Sequence, residues 1–208
     1  MYLCEVFVKW SNKMMKEIVF ATHNAHKASE IRNILGDSVK VKTLTDINLF
    51  EEIPENGNTF EENSFIKADF VRARVSDFTM CIADDSGLMV EALDGAPGVF
   101  SARYAGEPAD DKRNVAKLLD NLKGVENRRA KFVTVITALI NDKSYSFRGE
   151  IEGVIIDECR GTNGFGYDPV FVPDGYDLTF AQLPSEVKNS ISHRARAIRK
   201  FVEFFNNL

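Results

Sequence analysis

The apolar run Ile18-Val19-Phe20-Ala21 stops abruptly at Thr22, and a helical pattern follows Asn24. Ala28, Ile31, Ile34 and Leu35 fall on one face of that helix, and Gly36 closes it. This is a strand, a tight turn and a helix, the unit from which α/β folds are built. Thr22, Asn24 and Lys27 sit in the turn and the first helical turn. Backbone N–H groups and the positive end of a helix dipole point there, so an anion is welcome. The plainer reading makes Asn24 an N-cap and Lys27 a solvated charge. On this segment alone the plainer reading suffices, and the rest of the chain decides.

Residues 39–44 alternate apolar and polar and predict a second strand. The acidic residues 45–58, with Glu51, Glu52, Glu55 and Asn56-Gly57, predict a loop. Thr59 then opens a helix with Glu62 placed for a capping box. That helix is expected to reach Ser76, with Asn63, Lys67 and Arg74 on a polar face and Ile66, Phe70 and Ala73 on another. Residues 80–83 form a short apolar run, ended by Asp84-Asp85-Ser86-Gly87. Gly95, Pro97 and Gly98 mark a long ordered loop, and Val115, Leu118, Leu119 and Leu122 a helix stopped at Gly124. Residues 132–140 are apolar on both faces, as in a strand covered on both sides. After a turn at Asn141-Asp142-Lys143, Tyr145, Phe147, Ile151 and Ile155 alternate with Ser146, Arg148, Glu150 and Glu152. This predicts an antiparallel hairpin with one wet face. A glycine-rich loop covers 161–167, and 191–208 carries Ile198, Val202 and Phe205 at the spacing of a closing helix. The sum is a mixed α/β fold with a twisted open sheet.

The 208 residues suffice for one domain with a real core. No apolar run approaches bilayer length, and residues 1–14 lack the apolar core of a signal peptide. That segment is expected to be a flexible leader, with 15–208 the single folded domain. A net charge of −5 argues against nonspecific nucleic-acid binding. Cys4, Cys81 and Cys159 are far apart and form no CxxC, so reduced thiols in a cytoplasm are expected.

Asp84-Asp85 ends a buried strand, where open α/β sheets bind ligands. One of the two is expected to face the cleft and the other to cap a turn; an Asx-turn with Ser86-Gly87 is the structural alternative. A functional carboxylate here could bind Mg²⁺ or deprotonate one of its waters. Glu55 is either a solvated charge or a second metal ligand, and Lys67 either an exposed helix lysine or a phosphate contact. Glycines flank Phe165 in Gly164-Phe165-Gly166-Tyr167-Asp168-Pro169, as suits a ring that stacks on a planar base or one buried in a tight turn. Ser192 is expected to cap the last helix, with His193 and Arg194 in its first turn. Cations there oppose the helix dipole, so an external anion or carbonyl would have to offset them. His23 and His26 lack a third metal ligand and are not read as a metal pair.

These pieces occur together and in order. They are Ala21-Thr22-His23-Asn24-Ala25-His26-Lys27, Glu55-Asn56-Gly57-Asn58-Thr59-Phe60 with Asn63 and Lys67, Ala83-Asp84-Asp85-Ser86-Gly87-Leu88, and 95–104, 161–171 and 188–194. In them the chain resembles the Ham1-like inosine and xanthosine triphosphate pyrophosphatases over residues 16–207. The resemblance implies an elongated two-lobed α/β fold, with a mixed sheet flanked by helices and the active site in the cleft between the lobes. It also implies a homodimer and Mg²⁺-dependent cleavage of ITP, dITP or XTP to the monophosphate and pyrophosphate. It makes Asp85 the general base and a metal ligand, and Glu55 the other metal carboxylate. It gives Thr22, Asn24, Lys27 and Lys67 to the triphosphate, with His23, Ala25, His26 and Ser86 also at the substrate. Phe165, Gly166, Tyr167, Asp168, Lys188, His193 and Arg194 would hold the base. Ala195 stands where the family often has glycine, and residues 1–14 have no counterpart. The chain has no G-x-x-x-x-G-K-[ST] loop, which disfavours an ordinary P-loop NTPase. A Maf-like pyrophosphatase for other nucleotides and a non-catalytic nucleotide-binding regulator are the alternatives.

Overall fold

The computed structural model describes residues 17–75, 80–140 and 143–207. The expected leader at 1–14 and the turn at Asn141-Asp142 lie outside them, and the helix expected to reach Ser76 ends earlier, at Arg72. Six strands form one sheet in the order β2-β1-β3-β4-β5-β6. β1 (Glu17–Phe20) and β2 (Lys40–Thr43) are joined by α1 (Ala25–Leu35); α2 (Phe60–Arg72) leads from β2 to β3 (Met80–Val90). β1 lies between β2 and β3 and is parallel to both. β4 (Arg129–Ile140), β5 (Lys143–Ile155) and β6 (Phe171–Pro173) extend the sheet in antiparallel fashion from β3. The mixed α/β expectation holds.

Apolar burial explains which faces are covered. α1 and α5 (His193–Asn206) pack on one face, where Ile31, Leu35, Ile198 and Phe201 meet Ile18, Phe20, Ile82 and Ile136. α2 packs on the other, where Ala68 and Val71 meet Val19, Cys81 and Ala83. Further along the sheet a separate cluster joins Leu88, Ile151 and Phe171 to Leu118 of α3 (Asp111–Asn121) and to Phe180. The long strands β3, β4 and β5 run through both regions, so the sheet is shared by the two lobes.

The details depart from the sequence reading in several places. β3 does not stop at Asp84 but continues to Val90, paired with β4 along that whole length. What stops is its parallel neighbour, because β1 pairs with it only as far as Phe20 opposite Ile82. Second, α2 turns Asn63 and Lys67 inward with Phe60, Ser64, Ala68 and Val71, while Arg74 lies exposed beyond its end and binds Glu51. Third, the closing helix is preceded by a short separate helix, α4 (Ser185–Ile191), with Ser192 between them accepting from the Ala195 N–H as the N-cap of α5. The Thr59 cap forms on the Glu62 N–H, but the Glu62 carboxylate reaches back to the N–H of Asn58.

Candidate active site

The site forms where β1 ends and β3 continues. α1 leaves β1 on one face of the sheet and α2 reaches β3 on the other, so the carboxyl end of β1 is a switch point that opens a crevice. Two adjacent residues of an extended strand point to opposite faces. Asp84 therefore points toward α1 and α5, and Asp85 toward α2. Both are buried, and neither caps a turn.

On the first face, Lys27 donates to Asp84 at 3.0 Å and Ser86 donates to it at 2.6 Å. Arg194 donates to the same carboxylate at 3.3 Å and also binds Glu30. Burial alone would raise the Asp84 carboxyl, but the Lys27 and Arg194 cations outweigh it and hold it well below the usual carboxylate range. Glu30 also binds Lys188, and Lys188 donates to Asp168 at 2.6 Å. Arg194, in the first turn of α5, is thus offset by carboxylates from α1 and β3, the external partners that the opposed dipole requires.

On the second face, Lys67 donates to Asp85 at 2.8 Å and to Glu55 at 3.0 Å. Asn63 donates to the other Asp85 oxygen at 3.4 Å and accepts from the Gly57 N–H at 2.8 Å. Arg103, at the end of the 3-10 segment Gly98–Arg103, donates to the far oxygen of Glu55 at 3.2 Å. Burial pushes the Asp85 carboxyl up, and Lys67 and Lys27 offset this only in part. A buried carboxylate with a raised pKa and its oxygens turned into a cleft suits a proton acceptor.

The amino end of α1 is closed by its own cap. Asn24 accepts from the His26 and Lys27 N–H groups, and Thr22 accepts from the Asn24 N–H. Asn24 is thus the N-cap of the plainer reading, but Lys27 is not solvated. His23 lines the hollow that holds Lys27, Lys67, Glu55 and Arg103, and Ala25 is exposed at the start of α1.

The other end of the cleft is aromatic. Phe165 is half-buried, stacked on His26 at 5.3 Å and 17°, with Lys188 5.1 Å and Arg194 5.9 Å from its ring centre. Asp168 fixes the loop by accepting from the Phe165 N–H, and Asp111 accepts from Gly166. The Asp168 carboxylate already presses on Gly164, where a Cβ would come within 2.0 Å of it at φ +77°, so only glycine fits. Tyr167 is buried and its hydroxyl donates to the Ser101 carbonyl, so it braces the loop. His193 is buried and stacked on Phe132 at 4.7 Å. Burial, with Arg194 and Lys188 beside it, drives its pKa well below the ordinary value, so the ring is neutral. Its Nδ1 is the one buried side-chain N or O atom among the described residues without a partner.

One hollow joins the two ends, lined by Lys27, Glu55, Asp85 and Ser86 and by Phe165, Asp168, Lys188, His193 and Arg194. The structure thus gathers the expected residues from segments far apart in the chain. Sequence reasoning missed Glu30 and Arg103 and gave Asn63 no role at the site. Glu30 follows Lys27 by three positions, and Asn63 precedes Lys67 by four, so helical spacing carried a signal for both. Arg103 carried none beyond its place in the 95–104 block.

The Ham1 family model matches residues 18–204. A dITP/XTP pyrophosphatase of Porphyromonas gingivalis is 50% identical over 191 residues, covering 91% of this chain and 97% of the other. One from Flavobacterium johnsoniae is 46% identical over 187 residues, covering 90% and 96%. Among solved structures, the Staphylococcus aureus Ham1 protein superposes with a TM-score of 0.82 at 41% identity, covering 92% of this chain and 99% of that one. A HAM1 protein from Coxiella burnetii gives 0.82 at 38% identity, covering 93% and 100%.

Proposed function

The chain belongs to the Ham1 family, and from that premise we propose that it hydrolyses non-standard purine nucleoside triphosphates (dITP, XTP and ITP) to the monophosphate and pyrophosphate. The observation that carries this is one cleft with Asp85, Lys27 and Glu55 at one end, Lys67 bonded to both carboxylates there, and Phe165, Lys188 and His193 at the other. A polyanion needs the first set and a planar base the second.

The reaction is attack of water on the α-phosphorus. Asp85 takes the water proton, the bond from the α-phosphorus to the bridging oxygen breaks, and its electrons leave with pyrophosphate. Lys27 and Lys67 offset the charge and hold the phosphates in line, which is most of what such a transfer requires. Neither lysine has to be ordered on binding, because Asp84, Asp85 and Glu55 already hold both. Phe165 stacks on the base. His193 and Arg194 would supply donors for the oxygen at C6 that separates hypoxanthine and xanthine from adenine.

Glu55 and Asp85 fit Mg²⁺. Their oxygens converge on one cationic position, now filled by the Lys67 ammonium at 3.0 and 2.8 Å. Mg²⁺ characteristically takes one or two carboxylates together with substrate phosphates. When bound it would polarise phosphate oxygens and lower the pKa of a bound water. We also propose a homodimer, testable by light scattering, and a cytoplasmic setting. Among the described residues no helix is long and apolar enough to cross a membrane.

The test is pyrophosphate release across ATP, GTP, CTP, UTP, dTTP, ITP, dITP and XTP with Mg²⁺, then with EDTA. Preference for ITP, dITP and XTP, lost in EDTA, is expected. Preference for a pyrimidine nucleotide would support the Maf-like reading. Binding without release would support a regulator.

A further inference from the structure

Arg103 is the cation of the cleft that no role yet explains. Its guanidinium donates to the far carboxylate oxygen of Glu55 and to the Glu55 main-chain carbonyl, both at 3.2 Å. It rests 5.3 Å from the Phe100 ring centre and is about a quarter exposed, at 26%. Charge-assisted N–H···O bonds usually close to about 2.7–2.9 Å, so this one is loose. Lys67 holds Asp85 at 2.8 Å in the same cleft. The two bonds to Glu55 use two of the five N–H donors of a guanidinium.

Its place along the cleft is specific. Lys67 touches Asp85 and one oxygen of Glu55, whereas Arg103 touches the other oxygen. The order is therefore Asp85, Lys67, Glu55, Arg103. If Asp85 serves the attack at the α-phosphorus, Arg103 stands at the far end, in the hollow that Thr22, His23 and Lys27 also line. A planar fork of donors matches two phosphate oxygens better than the point charge of a lysine.

We propose that Arg103 is a substrate ligand for the β- and γ-phosphates, held in readiness by Glu55 and released to grip the departing pyrophosphate. This rests on the function proposed above. The charge of the broken bond moves onto the bridging oxygen, which leaves with the group that Arg103 holds.

The test measures binding by calorimetry in EDTA, where turnover is not expected, with dITP, dIMP and inorganic pyrophosphate as probes. Arg103→Ala is expected to weaken dITP and pyrophosphate by about tenfold or more and dIMP by less than about twofold. Arg103→Lys should fall between, since it keeps the charge and loses the fork. It also stands in if the alanine variant fails to fold. An equal loss for dIMP and dITP, or unchanged pyrophosphate affinity in a folded variant, overturns the assignment. Wild-type protein that fails to cleave dITP with Mg²⁺ would instead overturn the function on which the assignment rests.

Discussion

Adjacent aspartates in one strand carry different burdens because the strand turns them to different faces. Asp85 has a raised pKa and, in the proposed mechanism, takes the proton of the attacking water. Asp85→Asn keeps the shape and loses the proton acceptor, so kcat should fall by about 10²-fold or more while the fold persists. Turnover of dITP and a melting curve check both halves. In metal-free protein the Asp85 carboxyl should titrate above the ordinary aspartate value of about 3.9, because burial makes it protonate early as pH falls. An NMR titration in EDTA that puts it at or below that value would contradict the raised pKa. Asp84 is the opposite case. Its pKa is depressed, so its contribution to stability is complete above the unfolded value and is lost as pH falls through the folded one. Asp84→Asn leaves Lys27 and Arg194 buried without their shared counter-ion. It should cost about 3–5 kcal/mol at pH 7, with the gap to wild type narrowing below about pH 4. Urea unfolding at the two pH values measures this, and a loss under about 1 kcal/mol at pH 7 would contradict the role of Asp84 as shared counter-ion.

The elements show why some of this was legible in the chain and some was not. Ile18 to Ala21 and the Ala28, Ile31, Leu35 stripe signalled their elements because periodicity reports burial directly. α2 misled for the same reason. Asn63 and Lys67 are polar, so periodicity placed them outside, yet Asp85, Glu55 and the Gly57 N–H give them partners inside. Asp84 looked like a strand end because β3 carries polar side chains there, and hydrogen bonds to β4 continue regardless of side-chain type. The packing of α5 on β5 was equally invisible. A Cβ on Gly149 would come within 2.1 Å of the His193 carbonyl and 2.5 Å of the Ala197 nitrogen. Gly149 thus lets the amino end of α5 lie against the sheet. Gly149→Ala should push that turn away, costing about 1–3 kcal/mol. Because His193 and Arg194 ride on it, KM for dITP should rise more than kcat falls. A variant with wild-type KM would show that the turn tolerates the shift.

At the scale of the whole molecule, the cleft holds its charges in balance. Lys27, Lys188 and Arg194 face Glu30, Asp84 and Asp168 in one network, and Lys67 and Arg103 face Glu55 and Asp85 in a second. A bound nucleotide adds contacts to both lobes at once and should stabilise them together. dITP at about a hundred times its Kd should add roughly 2.7 kcal/mol, seen as a rise in Tm in EDTA. ATP at the same concentration should add less, and equal shifts would mean that the cleft does not distinguish the bases. The strand that carries Asp84 and Asp85 is paired with β4 from Cys81 to Val90, and β4 is paired along its other side with β5. In deuterated water the amides of that ladder are expected to exchange slowest, and those of the loops that carry Phe165 and Glu55 faster, since irregular segments open at lower cost than a packed ladder. On the proposed mechanism the proton acceptor would then stand on the slowest-exchanging part of the molecule, and the groups that admit and grip the nucleotide on faster ones.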